Sequence, residues 1–352
     1  MWKKSGKLFP SIIVSSNIMT DRKKDHITLA FNARTGLSEI DRRFYYEPLM
    51  AKHPAAEKVP FSFLGKTLRA PIWVSSMTGG TKLAGQINRN LAMVCREFGL
   101  GMGLGSCRPI LDSDDHFADF DMREIIGHDL PFYANLGIAQ LEKLVLDDDI
   151  SLVDRLIERL RADGLIIHVN PLQEWLQPEG DLFSQPPIDT IRSFLEMTSH
   201  PVIVKEVGQG MGPESLRALL ALPLEAVELA AFGGTNFAKL ELMRSEEFKQ
   251  QYFGPVSLIG HDAFEMTGMI NEIVEGNNPV KCRQIIISGG INSFLDGYYL
   301  VSRCKLPAIY GQASGFLKYA TQSYEELEKF VKYQVEGIKL ASAYFVIKDT
   351  GR

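Results

Sequence analysis

The stretch Gly164-Leu-Ile-Ile-His-Val-Asn-Pro-Leu-Gln-Glu174 decides how the rest of the chain is read. Its first half is an apolar run that alternates too little to be half exposed, so it reads as a strand buried on both faces. Its second half turns polar: His168 and Asn170, then Gln173 and Glu174, with Pro171 stopping further ladder pairing. A buried strand ending in convergent hydrogen-bonding groups is where an α/β enzyme carries its site.

Working outward, the same pattern recurs from Pro71 onward. Short apolar runs at 71–77, 100–106, 131–137, 201–207, 226–232, 284–290 and 307–311 end in small or polar residues. Segments with helical periodicity separate them, among them 83–98, 149–163, 188–199, 213–221 and 323–344. The last follows the Ser-x-x-Glu capping signal of Ser323 and Glu326. The longer stretch 239–278 reads as two helices broken at Gly254-Pro255. Together the runs predict an α/β fold, a TIM (β/α)8 barrel in a single domain over 71–352. A doubly wound open sheet usually brings a dinucleotide fingerprint, but Gly101-Met-Gly-Leu-Gly105 has the wrong spacing and opens no clear helix. Residues 1–70 read as an N-terminal extension. In it Asp21-Arg-Lys-Lys-Asp-His26 opens a helix carrying Ile27, Leu29 and Phe31, and a hairpin over 61–69 plugs the barrel bottom. The segments 109–121 and 175–187, after the second and fourth strands, are long enough to be lids.

Composition narrows the classes. With 352 residues and 45% hydrophobic content the chain can bury a sizeable core, and a formal net charge of -5 gives no electrostatic reason to expect nucleic acid or an anionic membrane. Any phosphate binding must be local. No apolar run is long enough to span a bilayer, and Met1-Trp-Lys-Lys-Ser5 lacks the apolar core of a secretory signal, so a cytoplasmic protein is expected. Cys95, Cys107, Cys282 and Cys304 are dispersed without a Cys-x-x-Cys pair and read as reduced structural thiols. Cys107 has no adjacent base and reads as a loop-lining residue before a nucleophile.

In a barrel the residues just after each strand build the functional face. Gly289-Gly290 after the seventh run and Gly311-Gln-Ala-Ser314 after the eighth let backbone N–H groups approach an anion, where such barrels bind phosphate; tight turns are the other use of these glycines. Lys205 lies in a run that should be buried, so its ammonium must face a ligand or pair with a neighbouring carboxylate such as Glu228. Beside a flavin it would stabilise the anionic reduced ring at the N1–C2 carbonyl edge. Arg22, Lys23, His26 and Arg108 suit a diphosphate, while a solvated helix face is the other reading of the first three. A bare carboxylate at Glu174 would repel a diphosphate by roughly 4 kcal/mol per charge pair. A bridging Mg²⁺ removes that conflict, and Gln173 beside it could orient the apolar half of the substrate or relay a proton. No nucleophile is paired with a base, and Gly290-Ile-Asn-Ser-Phe294 lacks the His and Arg that a flavin oxidase of hydroxy acids would place there.

Arg22-Lys23-x-x-His26, Met77-Thr-Gly-Gly80, Gly105-Ser-x-Arg108, Asn135-Leu-Gly137, His168-x-Asn-x-x-Gln-Glu174, Val204-Lys-Glu-Val-Gly208 and Gly233-Gly-Thr235, in this order, resemble type 2 isopentenyl-diphosphate isomerase, a flavin-dependent family. The resemblance spans most of the chain. It implies an FMN-binding barrel that interconverts isopentenyl and dimethylallyl diphosphate with Mg²⁺ and with the flavin held reduced, NADPH being the reductant. Proton transfer would run through the reduced ring without net redox change. The resemblance also implies catalytic roles for Gln173, His168 and Lys205, and substrate contacts from Arg22, Lys23, His26, Arg108, Asn170 and Gln173. FMN would be held by Met77, Thr78, Gly79, Ser106, Asn135, Lys205, Thr235, Gly289, Gly290, Ala313 and Ser314, and the metal by Glu174. A homo-oligomer, tetramer or octamer, is expected. The chain departs from the family pattern at Asn236-Phe237, where Ser-Trp is frequent, and at Glu228 and Phe232, where an Asp and a small residue are more usual. An FMN-dependent hydroxy-acid oxidase or dehydrogenase, and a non-catalytic binder of flavin and prenyl diphosphates, are the competing classes.

Overall fold

The predicted strand rhythm closes on itself. The structure, a computed structural model, describes residues 13–54, 60–76, 79–111 and 113–348, and of 13–20 the backbone alone. Strands β1 (Ile72–Val74), β2 (Gly101–Gly103), β3 (Phe132–Gly137), β4 (Gly164–His168), β5 (Val202–Lys205), β6 (Ala226–Glu228), β7 (Gln284–Ser288) and β8 (Ala308–Gln312) pair in parallel in chain order, and β8 returns to β1. Nearly every strand residue is buried, as continuous apolar runs require. The register puts His168 beside Lys205 and Lys205 beside Glu228, so β4, β5 and β6 carry a row of ionisable groups at one level.

Of the described residues, those between 46 and 347 form one compact unit, which contains the barrel and the hairpin; 13–45 and 348 form another. The hairpin strands Phe61–Phe63 and Lys66–Leu68 pair antiparallel around Leu64-Gly65, both at positive φ (49° and 71°), as a tight two-residue turn requires. Phe63, Leu64 and Leu68 are buried. Leu64 N donates to Gln284 Oε1 at the start of β7 (2.8 Å), and Lys66 Nζ donates to Asp163 Oδ1 just before β4 (2.5 Å). The other oxygen of Asp163 accepts from Phe132 N at the start of β3 (2.8 Å) and from the buried Arg123 Nη2 (2.9 Å). The hairpin therefore sits against the N-terminal ends of the strands, opposite the site.

Two helix expectations are corrected. The stretch 239–278 holds three helices, not two: Phe237–Arg244, Glu247–Phe253 and Ala263–Glu275, with a 3-10 turn at Gly254–Leu258. Ser245 makes the extra break, its hydroxyl donating to Leu242 O (2.7 Å) in place of a helical continuation. The N-terminal helix is Ile13–Leu29, so 21–26 lies in its second half rather than at its start. No Gly or Pro interrupts 13–21, and nothing forces the helix to begin at Asp21. Ile27 and Leu29 are exposed, as is Phe31 past the helix end. The other helices fall as read, including Tyr324–Tyr344, where Ser323 Oγ accepts from Glu326 N. All four cysteines are free thiols. Among the described residues no helix is long and apolar enough to cross a membrane.

Candidate functional site

The C-terminal strand ends open into a small cleft, part of it open to solvent. Lys205, Thr235, Gly289, Gly290, Ala313 and Ser314, all expected at a flavin, line it together, and Phe237 lies on its wall. Gly289 and Gly290 have φ of +89° and +69°. A Cβ at Gly289 would run into the main chain of Ala231, so only glycine keeps this bend and this approach. Gly289→Ala is expected to lower stability by about 2 kcal/mol or more. Thermal unfolding of the purified variant checks this.

Three buried atoms in the cleft lack any hydrogen-bond partner: Ser75 Oγ, Ser76 Oγ and Glu228 Oε2. Buried polar groups are normally satisfied, so such a cluster marks a place where water or a ligand completes the bonding. Lys205 is buried as expected, but the ion pair with Glu228 does not form. Lys205 Nζ donates to Glu206 O (2.8 Å), and among the described residues it forms no ion pair. Glu228 instead accepts from Ser288 Oγ (3.0 Å). Glu206, not singled out in the sequence, shapes the next loop: its Oε2 accepts from the N–H groups of Gly208, Gln209 and Gly210 (2.6, 2.6 and 3.0 Å). Burial pushes its carboxyl up, and those N–H groups and Lys205 pull it back.

At the end of β4 the polar groups form a connected set. His168 Nδ1 lies 2.8 Å from Asn135 Oδ1, while Asn135 Nδ2 donates to Leu104 O (2.9 Å). The Asn135 amide is thereby oriented, Nδ1 carries the proton and Nε2 is left as an acceptor. Burial first, and then the Lys205 charge, push the imidazole down to about 3, so His168 is neutral at physiological pH. The sign for stability follows. The unfolded chain takes up this proton below the ordinary value of 6.5, whereas the native state refuses it until about 3. As pH falls through that window the native state loses stability, by at most about 1.4 kcal/mol per pH unit. Urea unfolding is therefore expected to show the parent losing more stability than His168→Asn between about pH 6 and about pH 4.

Val169 N adds one more ladder bond, to Lys205 O (2.8 Å), and Pro171 then opens the short helix Pro171–Leu176, where its missing N–H costs nothing. This turn gathers the site. Buried Asn170 donates Nδ2 to Gln173 Oε1 (3.0 Å) and Glu174 Oε1 (2.8 Å), and its own Oδ1 is buried without a partner. Gln173 Nε2 donates to Glu241 Oε1 (3.2 Å), and Glu241 is held in turn by Arg244 Nη1 (2.6 Å). Glu174 Oε2 accepts from Gln177 Nε2 (2.7 Å) and Asp181 N (2.8 Å). Leu172 and Leu176 pack on Ala238 and Leu242, joining this helix to Phe237–Arg244. Glu241 was missed in the sequence. The signal was there: Ala238, Glu241 and Leu242 stand at i, i+3 and i+4, which puts a carboxylate on a buried stripe.

The remaining expected residues divide. Arg108 is exposed and pairs with Asp181 Oδ2 (2.9 Å); Ser106, two residues before it, is half-buried. Cys107 is buried, and burial pushes its thiol up to about 12, which fits a packing role. A Cβ at Gly79 would strike the Phe120 ring. Arg22, Lys23 and His26 are exposed on the helix Ile13–Leu29, at positions i, i+1 and i+4. Met77 and Thr78 lie outside the described residues. Among the described residues no group of three or more His, Cys, Asp or Glu side chains could hold a metal ion.

No family model matches the chain. Curated relatives do. It is 33% identical over 337 residues to the isopentenyl-diphosphate delta-isomerase of Rickettsia felis, covering 93% of this chain and 92% of the relative. It is 31% identical over 332 residues to the isopentenyl-diphosphate delta-isomerase of Rickettsia prowazekii, covering 92% and 93%. Among solved structures the fold is similar to a mutant mandelate oxidase with a monooxide FMN adduct (TM-score 0.55, 12% identity, 91% of this chain and 93% of that one). It is also similar to a flavocytochrome b2 with sulfite bound (TM-score 0.58, 14% identity, 85% and 71%). At such identities the likeness concerns the barrel alone.

Proposed function

Because this chain belongs to the type 2 isopentenyl-diphosphate delta-isomerase family, we propose that it interconverts isopentenyl and dimethylallyl diphosphate with FMN and Mg²⁺ bound at the C-terminal face of its barrel. The observation that carries the reading is the Gln173 amide, fixed between Asn170 and Glu241 and next to the buried Glu174. Moving a double bond requires one proton to be added to the alkene and another to be lost from the allylic carbon, with water excluded. An oriented neutral amide suits that task, since it holds the reacting end in place without offering a competing charge.

The cleft fits FMN. Ser75 Oγ, Ser76 Oγ and Glu228 Oε2 await partners, the Gly289-Gly290 bend offers backbone N–H groups to a phosphate, and Lys205 offers a positive charge to the ring. Reduced FMN, when bound, would supply the acid–base group at the alkene, with NADPH as reductant. The Glu174 carboxylate and the unpartnered Asn170 Oδ1 are hard oxygen donors, and a single carboxylate suits Mg²⁺, which completes its shell with phosphate oxygens and water. Arg108 would hold the diphosphate. A bound anion would raise the proton affinity of His168 above its ligand-free value. A homo-oligomeric, cytoplasmic enzyme belongs to the same reading. The test is direct: incubation of the purified chain with FMN, Mg²⁺, NADPH and isopentenyl diphosphate is expected to yield dimethylallyl diphosphate. Absence of product under reducing, magnesium-replete conditions rejects the reading, and net flavin turnover on a hydroxy acid would replace it with an oxidase.

A further inference from the structure

One residue holds both the group assigned to the metal and the group assigned to the diphosphate. Asp181 N donates to Glu174 Oε2 (2.8 Å), while Asp181 Oδ2 accepts from Arg108 Nη1 (2.9 Å) and Gln140 Nε2 (3.0 Å). Gln177 Nε2 adds a second donor to the same Glu174 oxygen (2.7 Å). The far end of this segment is anchored separately: the buried Glu142 Oε1 accepts from Ser184 N (2.9 Å), Ser184 Oγ (2.6 Å) and Gln185 N (2.9 Å). Residues 177–183 therefore span two carboxylate anchors, of which Glu142 has no other task here and Glu174 does.

The geometry points to Asp181 as a latch that stands in for both ligands: its carboxylate occupies Arg108 in place of a diphosphate oxygen, and its N–H occupies Glu174 in place of a cation. This inference rests on the assignment of Arg108 and Glu174 to ligand binding. A cation that takes Glu174 Oε2 displaces the Asp181 N–H from it, and an anion at Arg108 displaces the Asp181 carboxylate. Each event loosens the same residue, so the second ligand meets a latch already released. The two affinities are thereby coupled through the chain, in addition to the direct attraction between metal and diphosphate. The Arg108–Asp181 pair is half exposed, so it is weak enough for a multiply charged ligand to replace.

Asp181→Ala removes the carboxylate and keeps the N–H. Calorimetric titration of the full chain with inorganic pyrophosphate in the presence of EDTA, and separately with Mg²⁺ alone, is expected to show each binding about threefold more tightly, the scale of an exposed ion pair. The Mg²⁺ arm discriminates, because deleting a negative charge near Glu174 would by simple electrostatics weaken cation binding, whereas releasing a latch strengthens it. Asp181→Asn, which keeps the shape, is expected to shift both affinities in the same directions by less, and thermal unfolding of each variant reports whether the fold is intact. Arg108→Ala separates the two layers of the argument: it is expected to weaken pyrophosphate binding by about tenfold or more while Mg²⁺ binding tightens, since the latch loses its anchor. Parent-like pyrophosphate binding by Arg108→Ala would overturn the assignment of Arg108 itself. Loss of pyrophosphate binding by that variant, with no gain in either Asp181 variant, would overturn the latch alone. Weaker Mg²⁺ binding by folded Asp181→Ala would do the same and make Asp181 a metal ligand.

Discussion

Exchanging Glu174 for glutamine is expected to cut isomerase turnover by about 100-fold at limiting Mg²⁺, with part of the loss recovered as the metal is raised. Two effects add. The substitution removes the charge that would hold the cation. It also breaks a hydrogen-bond pattern that only a carboxylate satisfies, because Oε1 accepts from Asn170 Nδ2 and Oε2 from Gln177 Nε2 and Asp181 N. A glutamine has one acceptor and one donor head, so in either orientation its NH₂ faces another donor, at a cost of about 1–3 kcal/mol. Glu174→Asp keeps the charge and is expected to retain more of the metal dependence than Gln does. A Mg²⁺ titration of the rate for all three proteins decides the matter, and a Gln variant with the parent's rate at limiting metal would exclude Glu174 as a ligand.

Lys205→Met is expected to loosen FMN by about tenfold and to lower its midpoint potential by about 30–60 mV, equivalent to ~1.4–3 kcal/mol for a two-electron couple. The ammonium is buried on the cleft wall and, among the described residues, makes a single hydrogen bond, to Glu206 O, and no ion pair. Its charge is thus left to act on whatever fills the cleft, and a reduced ring carrying negative charge profits more than an oxidised one. The same substitution removes one of the two influences that keep His168 neutral, leaving burial, the larger, in place. Lys205→Arg is expected to preserve the potential. Spectroelectrochemical titration of the flavin-loaded proteins provides the check; an unchanged potential in the Met variant would remove the charge argument.

The barrel was legible because strands buried on both faces write themselves as unbroken apolar runs, and all eight were found where the sequence marks them. The glycine bend was legible because positive φ and close main-chain approach leave few other residues to choose. The partners of the site residues were not. Glu241 meets Gln173 across 68 residues, Asp181 meets Arg108 across 73, and Glu142 meets Ser184 across 42. A charged residue on an amphipathic helix or in a polar loop looks solvated until the chain folds it inward. The split at Ser245 escaped for a local reason: a hydroxyl returning to its own helix leaves the apolar periodicity untouched.

The packing of Pro171–Leu176 on Phe237–Arg244 has a consequence for how such a barrel can be inherited or recombined. The cleft is drawn from β1 and β5 through β8, whereas Arg108, Asn135, His168 and Asn170 through Glu174 lie on or just after β2, β3 and β4. Half-barrels could be exchanged between relatives on that division, were it not for Gln173 reaching Glu241 and Leu176 packing against Leu242. A crossover placed between 177 and 236 would bring together two helices that never adapted to one another. Chimeras cut there should fold and take up flavin yet misplace the amide, while cuts outside that interval should pass both helices on as one heritable block.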